Sequence, residues 1–492
     1  MERLLEGAYA PEMGLRIRLA LSRVRDEGLL VCVVGVYIAV LCSRLASQIG
    51  QDSWLVLVAG RDIVAHGLPS HDHLTYWTAG TQWVDQQWLA QLFFYGLAAA
   101  GGAKLALFAH AALITATFVL ALGLARAQGA SPRATAWIAV LSVIPIVSGS
   151  WQMRAQTIAL FFFVLLLWLL VTDARRPSRR IYLVLPLIVL WANVHGSVVI
   201  GAAFVGIYAL TSRAGGWRRA TGLVVGAGAG VLVTPYGPAM LAYYKSTLLN
   251  PALMNFVTEW QPTTLRPLTA PVYVLALGGI WLLASRGSRV PRFQKVAFLV
   301  AAVLALLAVR NLAFLGLTAL VALPAALDDV LPRRAYSPRR LDAFVAGTAV
   351  ALIVLSAPLA WRSVSVGIDH RYPPEAAAAV ARATAADPQA RVLSDVKFAD
   401  WLLWERPDLA GRVAYDARFE LMSYRQVRSA YYWTNQVTAD WKAAARDARV
   451  IVLDRDATDL NEKPLLAERG ARRLYRDGEI SVLGRPAHPG RP

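Results

Sequence analysis

Charge is scarce in this chain. Of its 492 residues only 17% are charged, against about 25% in a typical soluble domain, and 57% are hydrophobic. Long apolar runs through the first three quarters exclude a string of soluble domains. Acids are scarcer than bases: 32 Asp and Glu stand against 50 Lys and Arg, a formal net charge of +18. A basic balance can mark a nucleic-acid partner. Here the arginines fall in short clusters between apolar runs, and no RNA- or DNA-binding motif is present, so nucleic acid is excluded. Cysteine is nearly absent. Cys32 and Cys42 both lie in the first apolar run, which argues against a structural disulfide or a metal centre built on thiolates. No cleavable signal peptide is expected: the first apolar run starts near Leu29, after an Arg-rich leader, and lacks a small-residue cleavage site at a convincing place. It reads as a retained first helix. Inverted internal repeats and low-complexity tracts are also missing.

What remains is a pattern of apolar segments, each close to the 20 residues needed to cross a bilayer. They begin near Leu29, Lys104, Ala134, Ala155, Ile181, Gly196, Ala220, Ala270, Val296, Leu312 and Leu341. Every second connection is basic: Arg16, Arg18, Arg23 and Arg25; Arg126 and Arg133; Arg175, Arg176, Arg179 and Arg180; Arg213, Arg218 and Arg219; Arg286, Arg289, Arg292 and Lys295; Arg333, Arg334, Arg339 and Arg340. Short basic loops stay in the cytoplasm. The alternation therefore predicts about eleven spans with a cytoplasmic N-terminus, in a cell inner (plasma) membrane. The fifth span is short and contains Pro186. The apolar stretch from Trp88 to Gly101 is assigned to an interfacial helix, since a further span would invert every later loop.

The predicted fold is mainly α: a leader (1–28), a polytopic transmembrane bundle (29–365) with a large first outer loop (48–102), and a small extracytoplasmic α/β domain (366–492). In this last part an Ala-rich helix (Pro374–Ala386) precedes strands at Arg391–Ser394, Arg412–Asp416 and Ala448–Asp454. A hairpin joins Arg472–Tyr475 to Glu479–Leu483 through Asp477-Gly478.

Polar residues near the apolar segments are expensive and need a reason. The first outer loop carries Gln51-Asp52-Ser53-Trp54, Arg61-Asp62, His66 and His71-Asp72-His73. Asp52 follows the first span closely and is placed to act as a base or an ion ligand; the plain alternative is an exposed loop acid. His71-Asp72-His73 offers metal ligands, but in extended chain Asp72 faces away from the two histidines, so the three do not converge without a turn. Elsewhere Arg154, Asn193, His195, Glu259 and Arg310 stand in connections. Singly, Arg154, His195, Glu259 and Arg310 each read most simply as a structural salt bridge or a snorkelling side chain. Together Asp52, Arg154, His195, Glu259 and Arg310 are expected at one membrane surface. Arginine forks suit phosphate, and a carboxylate suits proton removal from a hydroxyl. Trp54, Tyr76, Trp77, Trp83 and Trp88 are assigned mostly to an interfacial aromatic belt.

These features resemble the GT-C class of glycosyltransferases, polytopic enzymes that use polyprenyl-phosphate-linked sugars. The first outer loop carries the likeness: Asp52, then a helix with Ala59 and Ile63, then Gly67 and Pro69, Trp88-Leu89 and Gly101-Gly102. It is similar to that of the protein mannosyltransferase and aminoarabinose transferase group. The runs Trp191–Gly196, Thr234-Pro235-Tyr236-Gly237, Glu259-Trp260-Gln261-Pro262, Ser394-Asp395 and Tyr415-Asp416-Ala417-Arg418 look like those of bacterial membrane proteins near that class. Close members of the mannosyltransferase group often carry Asp-Glu where this chain has Asp52-Ser53, which leaves Asp62 or Asp72 open as the base. The resemblance implies an acceptor hydroxyl, on a glycan, lipid or protein, attacking the sugar with inversion. Asp52 would take the proton, and Arg154, Arg310 or His195 would hold the departing lipid phosphate. Arg61, Asp62, Asp72, His73, Asn193 and Glu259 complete the candidate substrate-binding set. No cofactor is assigned, and a divalent cation stays open. The rival readings are a lipid or polysaccharide transporter and a non-catalytic envelope assembly protein. Spans nearly free of acids favour surface chemistry over transport, although Arg44 and the short fifth span weigh the other way.

Overall fold

The computed structural model describes residues 27–212, 216–331, 339–385 and 387–486. The leader arginines, Arg213, Arg333 and Arg334 lie outside the described residues.

Helices form over the apolar runs, because a helix satisfies its backbone N–H and C=O groups internally where no water reaches. They are α1 (Gly28–Ser43), α2 (Gln51–His66), α3 (Trp88–Ala127), α4 (Pro132–Ser150), α5 (Gln156–Arg175), α6 (Val184–Ala192), α7 (Val198–Thr211), α8 (Gly216–Gly230), α9 (Ala239–Leu248), α10 (Pro251–Phe256), α11 (Ala270–Arg286), α12 (Arg292–Leu307), α13 (Leu312–Ala322) and α14 (Arg339–Arg371). Among the described residues, five helical stretches are long and apolar enough to cross a membrane: Trp88–Ala127, Pro132–Ser150, Gln156–Arg175, Ala270–Arg289 and Ala343–Ala385. Their lengths and apolarity are those of a membrane protein. Several other apolar helices are shorter, Gly28–Ser43, Val198–Thr211 and Val309–Ala322 among them.

Two sequence features shape these helices. Pro186 lies in the first turn of α6, where its missing N–H has no intrahelical partner to lose. The stretch beginning at Trp88 is helical and breaks at Gly101-Gly102 before the rest of α3 continues, with Gly102 at φ +72°. A β-carbon disfavours that backbone angle, and glycine removes the penalty.

The bundle core is apolar and aromatic. Phe163 meets Phe204 and Phe314 edge-on, with centroids 5.1 and 4.9 Å away. All of α13 is buried. It approaches α4 closely: a β-carbon on Gly149 would lie 2.7 Å from Ala313, and one on Gly316 2.7 Å from Ile146. Small residues allow this contact, and it helps to fix the short turn before α13, Val309–Asn311, which carries Arg310.

The described basic connections gather at one end of the bundle. Arg126 pairs with Glu27, Arg219 with Asp173 and Arg289 with Asp329. Arg175 donates to Gln128, and Asp328 accepts from the Ser131 backbone. Arg154 and Asp173 stand at opposite ends of α5, which at 1.5 Å per residue is about 30 Å long.

The tail is α15 (Pro374–Ala385), α16 (Val396–Glu405), α17 (Tyr424–Asn435), α18 (Glu462–Leu466) and four strands: β1 (Val392–Ser394), β2 (Val450–Asp454), β3 (Arg472–Arg476) and β4 (Ile480–Gly484). The sheet order is β1-β2-β4-β3, with β1 parallel to β2 and the remaining pairs antiparallel. One expected strand is corrected. Arg412–Asp416 forms no regular strand; Val413 makes single bridges to Val392 on one side and Thr75 on the other. Its backbone is shared between the tail and the loop after α2. The Tyr76 and Trp77 amides donate to the Val413 and Ala414 carbonyls at 2.9 and 3.0 Å, so neither side supplies a full ladder.

Arg418 locks this junction. It bonds Asp416 at 2.5 Å and Asp72 at 2.7 Å, all three side chains being buried, and lies over the Trp83 ring. Asp72 also accepts from Thr75, Thr78 and the Leu74 amide. Burial alone would raise its carboxyl; Arg418 and these donors together hold it below the usual carboxylate range. Arg418→Met should leave two buried carboxylates without a counter-charge and cost about 3–5 kcal/mol. We expect a lowered melting temperature in detergent and easier protease cleavage between the tail and the bundle, and an unchanged melting temperature would contradict it.

Candidate functional site

The site begins at the N-terminus of α2. Gly50 caps that helix: its amide donates to Ser53 Oγ at 3.0 Å while the Ser53 amide donates back to its carbonyl. Ser53 is fully buried and also donates to the Gln48 carbonyl. The residue after Asp52 is therefore occupied in capping, which is a local reason for a small hydroxyl there. Asp52 sits in the first turn, where the helix dipole favours a negative charge.

Backbone pairing brings Arg154 to it. The Met153 amide donates to the Gln48 carbonyl at 2.9 Å. A β-carbon on Gly50 would fall 2.6 Å from Gln152, so the segment before α5 lies directly against the cap. Arg154 Nη1 then donates to Asp52 Oδ2 at 3.0 Å and to Glu259 Oε1 at 2.9 Å. Glu259 stands on a short turn, Thr258–Trp260. The chain after it is held by the Val309 amide on the Gln261 carbonyl and the Thr263 amide on the Leu306 carbonyl. The same pairing sets Arg310 over the Trp260 ring, 4.1 Å from its centroid.

His195 completes the group. The Ser197 amide donates to its Nδ1 at 3.1 Å, and Ser197 Oγ lies 2.8 Å away while accepting from Trp191 Nε1. With Nδ1 an acceptor, the ring proton sits on Nε2. Burial, reinforced by Arg310 and Arg154, pulls the imidazole down to about 3. It is a neutral donor and brings no charge.

Asp52, Arg154, His195, Glu259 and Arg310 line one cavity of about 500 Å³. Asp52 keeps 29% of its side-chain surface exposed and lines this cavity. Burial holds Asp52 above the ordinary carboxylate range despite Arg154. For Glu259 burial acts in the same direction, but its two oxygens on Arg154 outweigh it and the net shift is downward. The pair thus divides into a carboxylate that stays ionised and one that takes a proton more readily.

A second cavity, about 340 Å³ and mostly apolar, adjoins the first. Val199, Ile200, Ala203, Leu248, Leu304 and Phe314 form its apolar walls. His195, Tyr243, Trp260 and Arg310 line both cavities. The guanidinium and the histidine therefore stand where a polar chamber meets a greasy groove.

The other predicted residues lie outside the two cavities. Arg61 donates to the Leu403 and Trp404 carbonyls and caps α16. Asp72 serves Arg418. Asn193 accepts from Trp88 Nε1 and donates to the Val189 and Val233 carbonyls, fixing the start of α3. Asp62 accepts from His66 and His73. His71 bonds Ser70 instead, so His71-Asp72-His73 do not converge.

Reading the sequence missed the tail's contribution. Glu420, Tyr415, Phe419, Tyr431 and Asn435 wall the first cavity, and burial pushes Glu420 up to about 7. Tyr415 is contiguous with the Tyr415–Arg418 run, but no local spacing marks Glu420. Gln51, Gln86, Gln87 and Gln91 add amides from the α2 and α3 side.

No protein-family model matches the sequence, and no curated protein does. Solved structures do. ArnT from Cupriavidus metallidurans bound to undecaprenyl phosphate gives a TM-score of 0.50 at 14% identity, covering 94% of this chain and 99% of that one. The archaeal oligosaccharyltransferase AglB from Archaeoglobus fulgidus, in complex with an inhibitory peptide and a dolichol-phosphate, gives 0.50 at 13%, covering 86% and 69%. A variant of the mycobacterial arabinofuranosyltransferase AftD gives 0.51 at 17%, covering 95% of this chain but only 41% of that one. The chain has a GT-C-like fold.

The shared guanidinium generates a test independent of any reaction. In Arg154→Met, Asp52 and Glu259 would lose the guanidinium that bonds both and keep only the weaker influence of Arg310, so burial and mutual repulsion would raise both above their unfolded values of 3.8 and 4.5. A folded-state pKa raised in this way destabilises as pH rises through it. The variant should therefore lose more thermal stability relative to wild type at pH 8 than at pH 5. An equal loss at both would exclude the coupling.

Proposed function

We propose that this protein is a membrane glycosyltransferase that moves a sugar from a polyprenyl-phosphate donor to a hydroxyl acceptor. The observation that carries this reading is the junction at Arg310 and His195, where the polar chamber opens into an apolar groove. A lipid phosphate fits such a junction: its headgroup accepts from a guanidinium and from His195 Nε2–H, and its isoprenoid chain lies along Val199, Ile200, Ala203 and Phe314. The undecaprenyl phosphate and dolichol-phosphate bound by the ArnT and AglB structures are ligands of this chemistry.

In the reaction, Asp52 is the base. Among the described residues no donor reaches its Oδ1, which is left to accept from the acceptor hydroxyl. That hydroxyl oxygen attacks the anomeric carbon while the bond from this carbon to the phosphate oxygen breaks. The proton passes to Asp52, and the electron pair leaves with the phosphate. Arg310 meets the charge that develops there, aided by the His195 hydrogen bond. Arg154 aligns Asp52 and is itself anchored by Glu259. Attack opposite the phosphate inverts the anomeric centre.

The membrane arrangement in this reading has about eleven spans. The basic loops face the cytoplasm, and the site and the tail domain lie outside. The alternation of Arg-rich connections supports it, as does their clustering at the end of the bundle away from the cavity.

Purified protein with lipid-linked sugars extracted from its own membranes provides the assay. Asp52→Asn should lower turnover about 10²–10⁴-fold, the usual worth of a positioned base, with donor binding retained. Arg310→Ala should weaken binding of undecaprenyl phosphate itself. Unchanged turnover in Asp52→Asn, or undecaprenyl phosphate binding insensitive to Arg310, would sink the reading.

A further inference from the structure

Away from the cavity, the far end of α2 gathers three ligand-type side chains. Asp62 and His66 stand four residues apart on one helix face, the spacing that stacks side chains over one turn. Gly67, at φ +85°, ends the helix and reverses the chain. The following loop is held as a narrow hairpin: the Trp83 amide donates to the Ser70 carbonyl and the Asp72 amide to the Thr81 carbonyl. That pairing returns His73 to the helix while Asp72 turns the other way, into its bond with Arg418. His66 Nδ1 lies 2.8 Å and His73 Nε2 3.0 Å from the same oxygen, Asp62 Oδ1. The three ligand atoms fall within 4.8 Å of one another.

We infer that Asp62, His66 and His73 form a binding site for a divalent transition-metal ion, with Zn²⁺ the preferred occupant. Two imidazoles and one carboxylate suit zinc over magnesium or calcium, which favour all-oxygen shells. Bonds of about 2.0–2.1 Å in tetrahedral geometry require ligand atoms about 3.3 Å apart. The present separations reach that value with small ring rotations, and the rings are able to move because His66 is 68% and His73 49% exposed. Asp62 is only 8% exposed, so the anionic ligand is the preorganised one. Each imidazole binds as the neutral ring through the nitrogen now facing Asp62, so the proton that this nitrogen donates to the carboxylate moves to the other ring nitrogen when the ion enters. The fourth position opens to solvent and takes a water. The ion would pin the loop that docks Arg418 to the helix whose first turn carries Asp52.

The inference stands apart from the transferase reading, and so does its test. Full-length protein carrying no polyhistidine tag is titrated in detergent with Zn²⁺ against a chromogenic chelator. One equivalent should bind, raising the melting temperature, and His66→Ala and His73→Ala should each weaken binding at least tenfold. Both histidines are exposed, so these variants keep the fold, checked by circular dichroism. Co²⁺ gives a second readout: wild type should show the visible absorption of a four-coordinate site, lost in His73→Ala. No Zn²⁺ uptake by wild type, or unchanged uptake in both variants, would overturn the proposal and leave the trio as two imidazole N–H groups donating to one carboxylate.

Discussion

One guanidinium organises the candidate site. Arg154 reaches an acid from the helix after α1 and an acid from the turn before α11, more than a hundred residues away on either side in sequence. Gathering three charges in a partly buried cluster is costly unless they neutralise one another, and backbone pairing holds the three segments in place. The Gln48–Met153 bond positions one side, and the strip joining 261–263 to 306–309 positions the other. Arg310 is carried by that same strip. Acid, cation and second cation are thus consequences of a few main-chain contacts at one end of the bundle.

Around this end the two halves of the molecule divide the work. The bundle supplies the carboxylates, both arginines and the apolar groove. The tail supplies Glu420 and an aromatic wall, and it is held against the bundle by Arg418 and the shared backbone near Val413. The cavity is therefore a product of their docking. A tail whose own sequence carries no catalytic cluster thus still shapes the space around Asp52.

Much of this was legible in the sequence, for identifiable reasons. Apolar runs and arginine clusters are strong signals, and they predicted the helices and gathered Asp52, Arg154, His195, Glu259 and Arg310 at one end. The strands around Val392, Val450 and the Asp477 hairpin were equally plain. Three things were not. Arg61, Asp72 and Asn193 look functional in sequence but serve as a helix cap, an ion-pair anchor and a loop pin, because a polar residue near an apolar core is as often satisfying a carbonyl as awaiting a ligand. Arg412–Asp416 has strand composition, yet its pairing partners are split between two units. Glu420 enters the cavity only through tertiary docking, which no local periodicity encodes.

The shared backbone at Val413 also bears on how the chain is made. The hydrogen bonds from Arg61 to the carbonyls at 403 and 404 close loops of 342 and 343 residues. Contacts this distant in sequence are slow to form, because chain entropy is lost before they give anything back. The ribosome releases the loop after α2 long before its partners in the tail exist. The backbone groups near Thr75 therefore remain hydrogen-bonded to water until Val413 and Ala414 have been made. The cavity is then completed late in folding, because its wall takes in residues as distant as Asn435.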